Sequence, residues 1–272
     1  VMKKLIAVAA LALLPLTSFA GGGAAVQLED ANIDLTNHAA IQRGAKYFTN
    51  YCMGCHSAKY VRYQLMKEVG LSEEEIKENL MFDKSKKVGD LMSIALAPED
   101  AGKWFGAAAP DLTLEARLRK GPDWIYSYLK GFYSDPSRPM GVNNTVFKNV
   151  GMPNVLWELE GIKEAVYRYD VAHNGHAVES FDNKADAEAA AAKHGEGYKV
   201  EKHVESLKMV KPGKLSAAEF DQVARDLSTY LVYIAEPNKL ERQQMGLWVI
   251  LFLSIFTVIA YMTKKEWWKD VH

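Results

Sequence analysis

Two cysteines occur in the 272-residue chain, and both fall in Cys52-Met53-Gly54-Cys55-His56. The spacing C-x-x-C-H is the attachment signature of haem c. Two thiols separated by two residues reach one edge of a porphyrin and add across its two vinyl groups, and the adjoining histidine is then placed to serve as an axial ligand to the iron. Other chemistries of paired cysteines fit less well. A thioredoxin-like redox pair needs a strand before the motif and a long helix starting at it. Here the helical pattern precedes the cysteines, over residues 37–51, with Asn37 as its cap. A structural zinc site needs several ligands close by, and His56 alone is adjacent.

The sixth iron position then decides the chemistry. An open position permits peroxidase-type reactions, whereas a methionine closes the iron, raises its potential and leaves electron transfer. Of the ten methionines, Met140 (Arg-Pro-Met-Gly) and Met152 (Val-Gly-Met-Pro) stand downstream in loop-like surroundings. Methionine is an ordinary core filler as well as a ligand, and spacing does not choose between the two.

The elements that must hold these groups are partly readable. Leu65, Val69, Ile76 and Leu80 recur at helical spacing and predict a charged helix over about 61–81. AAAPDLT (107–113) predicts a turn, because Pro110 bars the preceding residue from helix. A short basic helix over 114–119 is broken by Gly121-Pro122; Asp123 then caps an aromatic helix over 124–133 that Asp135-Pro136 ends. Residues 134–153, rich in Pro, Gly and Asn, predict a loop of the kind that straps a ligand across a site. Ser216-Ala-Ala-Glu219 is a capping box, and Phe220, Val223, Leu227, Leu231 and Ile234 form the apolar face of the helix it opens, which Glu236-Pro237 stops. In a haem c domain the last helix crosses the first, and Gly44 is expected to provide the close contact.

Between them, residues 161–213 change character. They hold His173, His176, His194 and His203 and an alanine-rich piece at 185–193. Asn174-Gly175, between the first two histidines, predicts a hairpin turn rather than a metal site. The segment is expected to be an insertion decorating the haem domain.

Both ends carry apolar runs. Lys3-Lys4, an uncharged stretch at 5–14 and Ser18-Phe19-Ala20 follow the order of a secretory signal peptide. Near the other end no charge lies between Arg242 and Lys264. Residues 246–262 are long enough to cross a bilayer at about 1.5 Å per residue. Trp248 and Tyr261 flank this run, and Lys264, Lys265 and Lys269 follow it, so the positive side predicts a cytoplasmic C-terminus and an exported bulk. The expected organisation is a signal peptide at 1–20, a periplasmic cytochrome c domain at 21–235 with its insertion at about 161–213, a tether at 236–244, a transmembrane helix at 245–263 and a tail at 264–272. The fold class expected is mainly α. A formal net charge of −1 offers no basic excess for phosphate, so nucleic acid is not an expected partner.

With these residues in place, the chain resembles the cytochrome c1 family, the haem-bearing subunits of the ubiquinol–cytochrome c reductase (cytochrome bc1) complex. The resemblance rests on RGAKYFTNYCMGCHS (43–57), AAAPDLT (107–113), ARLRKGPDWIYSYLKGFY (116–133), NVGMPN (149–154) and LVYIAEP (231–237), in that order and spacing. It implies one haem c held through Cys52 and Cys55, with His56 as proximal and Met152 as distal iron ligand. It further implies Pro110 packed beside the porphyrin and Arg119 paired with a haem propionate. The implied role is an electron-transfer subunit, not an enzyme by itself. It would be anchored in the inner membrane, take an electron from the Rieske iron–sulfur protein, pass it to a cytochrome c and assemble with cytochrome b. The alternative of the same class is the monohaem subunit of another membrane oxidase. The resemblance carries nothing onto residues 161–213.

Overall fold

The computed structural model describes residues 27–118 and 121–270. The expected signal peptide at 1–20 and Arg119 lie outside the described residues. In chain order the described elements begin with α1 (His38–Tyr47) running into a π-helical turn (Phe48–Cys52), β1 (Ala58–Arg62), a 3₁₀ turn (Tyr63–Val69), α2 (Glu73–Asn79) and β2 (Leu91–Met92). Then come α3 (Pro98–Phe105), α4 (Glu115–Leu118), α5 (Pro122–Lys130), β3 (Phe132–Ser134), β4 (Val142–Asn144) and α6 (Trp157–Glu160). The remainder is β5 (Gly161–His173), β6 (His176–Phe181), α7 (Lys184–His194), β7 (Tyr198–Pro212), α8 (Ala217–Ala235) and α9 (Lys239–Trp267).

The core is built on the crossing of α1 and α8. Asn37 caps α1 by accepting the Ala40 N–H at 3.1 Å. Ser216 and Glu219 form the reciprocal capping box of α8, as their spacing predicts. The expected apolar face of α8 is buried at all five positions. Gly44 stands at the crossing: a Cβ there would lie 2.1 Å from the Asp226 carbonyl oxygen and 2.6 Å from the Tyr230 Cβ, so only glycine lets the two backbones meet. Beside it, Arg43 donates through Nε and Nη2 to the two carboxylate oxygens of Asp226 at 2.7 and 3.0 Å. Asp226 is itself 1% exposed, so this fork satisfies a charge the crossing buries. Phe48 meets the Tyr230 ring at 5.3 Å one turn further on.

Several expectations need correction. The aromatic helix expected over 124–133 ends at Lys130, where Gly131 leads into β3, and β4 lies inside the loop expected at 134–153. Residues 61–81 are not one helix: β1 pairs with β2, Gln64 N–H donates to Val88 O at 2.8 Å, and the 3₁₀ turn closes at Gly70 in a left-handed conformation before α2 begins. Asp123 does not cap α5; Pro122 at the first helical position starts that helix after Gly121, and Asp123 instead accepts the Ala31 N–H at 2.9 Å. The chain is also less helical than a mainly α fold. Among the described residues strand makes up 19% against 47% helix, and most of it belongs to one five-stranded sheet, ordered β4-β3-β5-β6 with β7 also pairing β5.

That sheet explains the change of character at 161–213. β5 and β7 pair antiparallel from Gly161↔Pro212 to His173↔Tyr198, so the segment leaves and rejoins the core at neighbouring positions. Asn174 and Gly175 make the predicted turn with φ of 52° and 79°. α7 packs on the ribbon through Ala187, which is fully buried. At the other end of the chain α9 has 29 residues, about 43 Å at ~1.5 Å each. It buries none of them, and its apolar stretch reaches a mean hydropathy of 2.2, long and apolar enough to cross a membrane. The tether expected at 236–244 is already helical from Lys239.

Candidate functional site

The helix leading out of α1 does not stop at Tyr47. It widens into the π-helical turn, and the Met53 N–H reaches back to Phe48 O at 3.0 Å. One further turn follows, with Cys55 N–H and His56 N–H both donating to Cys52 O at 3.1 and 2.8 Å. Positions i, i+3 and i+4 of a turn share a face. Cys52, Cys55 and His56 accordingly line the same cavity, of about 310 Å³, inside the ~300–1,000 Å³ range of cofactor sites.

The far walls come from three other elements. Trp124, Tyr128 and Leu129 project from α5, Leu227 and Leu231 from α8, and Val150 to Pro153 from the strap before α6. The lining is almost wholly apolar; Tyr51, Tyr128 and Glu115 bring the main polar groups besides the motif. Of the two candidate methionines the structure brings only Met152 into this cavity. Met140 lines a separate pocket beside β3 and β4.

His56 is held by a backbone atom. Its Nδ1–H donates to Pro110 O at 2.7 Å, and the side chain is 8% exposed. Because a carbonyl only accepts, the proton sits on Nδ1 and the Nε2 lone pair is left for a metal, the arrangement typical of a ligating histidine. Burial lowers its pKa, which favours the neutral imidazole that ligation requires. The turn that presents Pro110 is itself pinned. Asp111 accepts the Lys59 N–H at 2.7 Å and the Thr113 N–H at 3.0 Å, and Leu112 N–H donates to Ser57 O at 2.8 Å. Strand β1, immediately after the motif, thus fixes the 107–113 turn against His56.

Cys52 and Cys55 are both half-buried free thiols. Burial, with Cys55 adding to it, pushes the Cys52 thiol up to about 12. A reactive disulfide-exchange cysteine needs the opposite shift. The donor set also fits haem c: a thiol pair, a neutral imidazole with one free nitrogen, and a thioether facing one apolar cavity.

The strap that carries Met152 is clasped by two asparagines. Asn143, 8% exposed, accepts the Asn149 N–H at 2.9 Å, and Asn149 itself sits at φ 61°. Asn144, fully buried, accepts the Val146 and Phe147 N–H groups at 2.9 and 3.2 Å and donates to Tyr128 O at 2.8 Å. Sequence reasoning saw only an Asn-rich loop here; the signal that finds the clasp is the tendency of Asn to bond backbone two residues on. The carbonyl role of Pro110 had no signal at all, since a backbone acceptor leaves no trace in residue type.

The model of the cytochrome C1 family matches residues 30–271. The cytochrome c1 of Allochromatium vinosum is 44% identical over 272 residues, the whole of both chains. A protein of Nitrosomonas europaea named ammonia monooxygenase gamma subunit is 35% identical over 92% of this chain and 91% of its own. The cytochrome c1 of Rhodospirillum rubrum is 30% identical over 85% of this chain and 81% of its own.

Proposed function

The chain belongs to the cytochrome c1 family, and from that premise we propose that it takes electrons from the Rieske iron–sulfur protein and delivers them to a cytochrome c. Family membership makes it a haem electron-transfer subunit of the cytochrome bc1 complex, with one covalent haem c. Bound in the cavity, that haem supplies a one-electron ferric–ferrous couple. The residues divide the remaining work. Cys52 and Cys55 would anchor the porphyrin, and His56, its ring held by the Pro110 carbonyl, and Met152, carried on the strap, would be the iron ligands. The apolar walls keep water away, so the charge on the iron changes without large solvent rearrangement. Arg119 is the cation proposed to meet a propionate. The oxidoreductase activity belongs to the complex; this chain holds and passes one electron at a time.

α9 serves as the single membrane anchor, with the haem domain in the periplasm and the tail after residue 263 in the cytoplasm. Cytochrome b is the proposed neighbour in the membrane. The observation that carries the reading is the convergence of Cys52, Cys55, His56 and Met152 on one apolar cavity from separate parts of the chain. Mild-detergent purification through a tag on this chain tests it. The expected companions are a cytochrome b and a Rieske protein, with quinol–cytochrome c reductase activity in the eluate. Companions belonging to a monooxygenase or to another oxidase would move the chain to a different membrane complex.

A further inference from the structure

Tyr128 places a phenol inside the cavity. Its ring stacks on Trp124 at 4.9 Å and meets Phe132 edge-on at 5.2 Å, which leaves it little freedom to turn. Its hydroxyl donates to the Met152 sulfur at 3.4 Å. One side chain ties the donor's helix to the segment that leads to the acceptor: Asn144 donates to the Tyr128 carbonyl and accepts the Val146 and Phe147 N–H groups, the latter five residues before Met152. That asparagine is fully buried, so it couples α5 to the strap from inside the protein.

We propose that Tyr128 is a positioning residue that fixes the Met152 sulfur and raises the haem potential through its hydrogen bond, an inference that rests on Met152 as distal ligand. A thioether sulfur has two lone pairs, one for the phenol and one for the iron. The hydrogen bond draws electron density from the sulfur. A thioether favours ferrous iron because it is a soft, weak σ-donor, and a hydrogen bond that weakens its donation further shifts the balance the same way, so the bond favours the reduced state. An apolar surrounding strengthens the effect. Removing a single hydrogen bond of ordinary net strength shifts an equilibrium on the order of fivefold, equivalent to about 40 mV for a one-electron couple.

The test is an equilibrium redox titration of the haem in the intact membrane complex, with the ferric thioether-to-iron charge-transfer band recorded beside it. Four forms are compared: wild type, Tyr128→Phe, Met152→Leu and the double variant. The expected result is that Tyr128→Phe keeps the band and lowers the potential on the order of fivefold in the ferric-to-ferrous ratio. The same change in the Met152→Leu background should do nothing. An unaltered potential in Tyr128→Phe overturns the proposal, and so does an equal drop in both backgrounds, which would place the effect elsewhere than on the sulfur. Retention of the band in Met152→Leu overturns the ligand assignment itself, a separate failure. Should Tyr128→Phe not assemble, a ring-fluorinated tyrosine at 128 keeps the side chain and makes the phenol a stronger donor. The potential should then rise, and a potential that stays put overturns the proposal.

Discussion

Replacing Gly44 with alanine tests the packing that positions the haem signature. The added Cβ would sit 2.1 Å from Asp226 O and 2.6 Å from Tyr230 Cβ, where ordinary carbon–oxygen contact begins near 3.3 Å. Relief requires α1 and α8 to separate by roughly an ångström, because the first obstacle is backbone and not the end of a flexible side chain. That separation stretches the Arg43–Asp226 fork, now at 2.7 and 3.0 Å. Overpacking a core costs ~1–3 kcal/mol, and more when backbones must part. Against it stands a gain of up to ~1 kcal/mol from removing a mid-helix glycine. Strain wins, with a net loss of about 2 kcal/mol, or a fall of ~4–8 °C in Tm for a domain of this size. Gly102, in α3, has no atom within 4 Å of its would-be Cβ, so Gly102→Ala is the control and should gain up to ~1 kcal/mol. Thermal melts of the two detergent-solubilised variants, followed by haem absorbance, measure the difference. A Gly44→Ala protein as stable as wild type would show that the helices cross with more room than the packing implies.

Three further outcomes are expected. Met152→Leu should lower the potential sharply and weaken electron delivery at modest cost in stability, since volume is nearly kept, while Met140→Leu, whose side chain lines a different pocket, should leave the potential where it is; redox titration of the pair shows which sulfur ligates. Arg119→Gln should lower the potential by leaving a propionate less compensated, and Arg117→Gln and Lys120→Gln should not; equal shifts in all three would mean diffuse charge and no specific pair. Burial pushes the Asp221 carboxyl up, but hydrogen bonds from Lys130, Tyr126 and Arg225 outweigh it and bring the pKa down to about 2, below the unfolded value of about 3.9. Its contribution is thus fully present above about pH 4 and disappears as pH falls through 2, so Asp221→Asn should flatten the acid limb of the stability–pH curve; an unchanged limb would assign acid sensitivity to other carboxylates.

What the sequence revealed were the features that local chemistry dictates. C-x-x-C-H is legible because two thioether bonds to one porphyrin edge fix the residue spacing. The Ser216 box and the Asn174-Gly175 turn are legible because each closes its own hydrogen bonds within four residues. The 61–81 stretch misled because Leu65, Val69, Ile76 and Leu80 keep a helical spacing, while residues 58–64 are held by pairing with residues 88–92, which no short window contains, and left-handed Gly70 parts the 3₁₀ turn from α2. The β5–β7 ribbon hid for another reason: β7 is largely exposed and charged, as at Lys199, Glu201 and Lys202, and β5 is mostly half-buried, so neither shows the apolar alternation that marks a half-buried strand. At the site itself the side chains Cys52, Cys55, His56 and Met152 could be named from spacing and resemblance. The Pro110 carbonyl, the Asn143 and Asn144 clasp and the Tyr128 phenol could not, because each acts through a contact between residues distant in sequence or through a backbone atom.

The central claim is that Cys52 and Cys55 bind one haem covalently within the apolar cavity. Acid–acetone extraction of the denatured polypeptide tests it most directly, because thioether bonds survive a treatment that removes haem held only by ligation. The haem should remain with the wild-type chain and be absent from the Cys52→Ala, Cys55→Ala double variant. Haem that leaves the wild-type chain on extraction, or that stays with the double variant, would contradict the account.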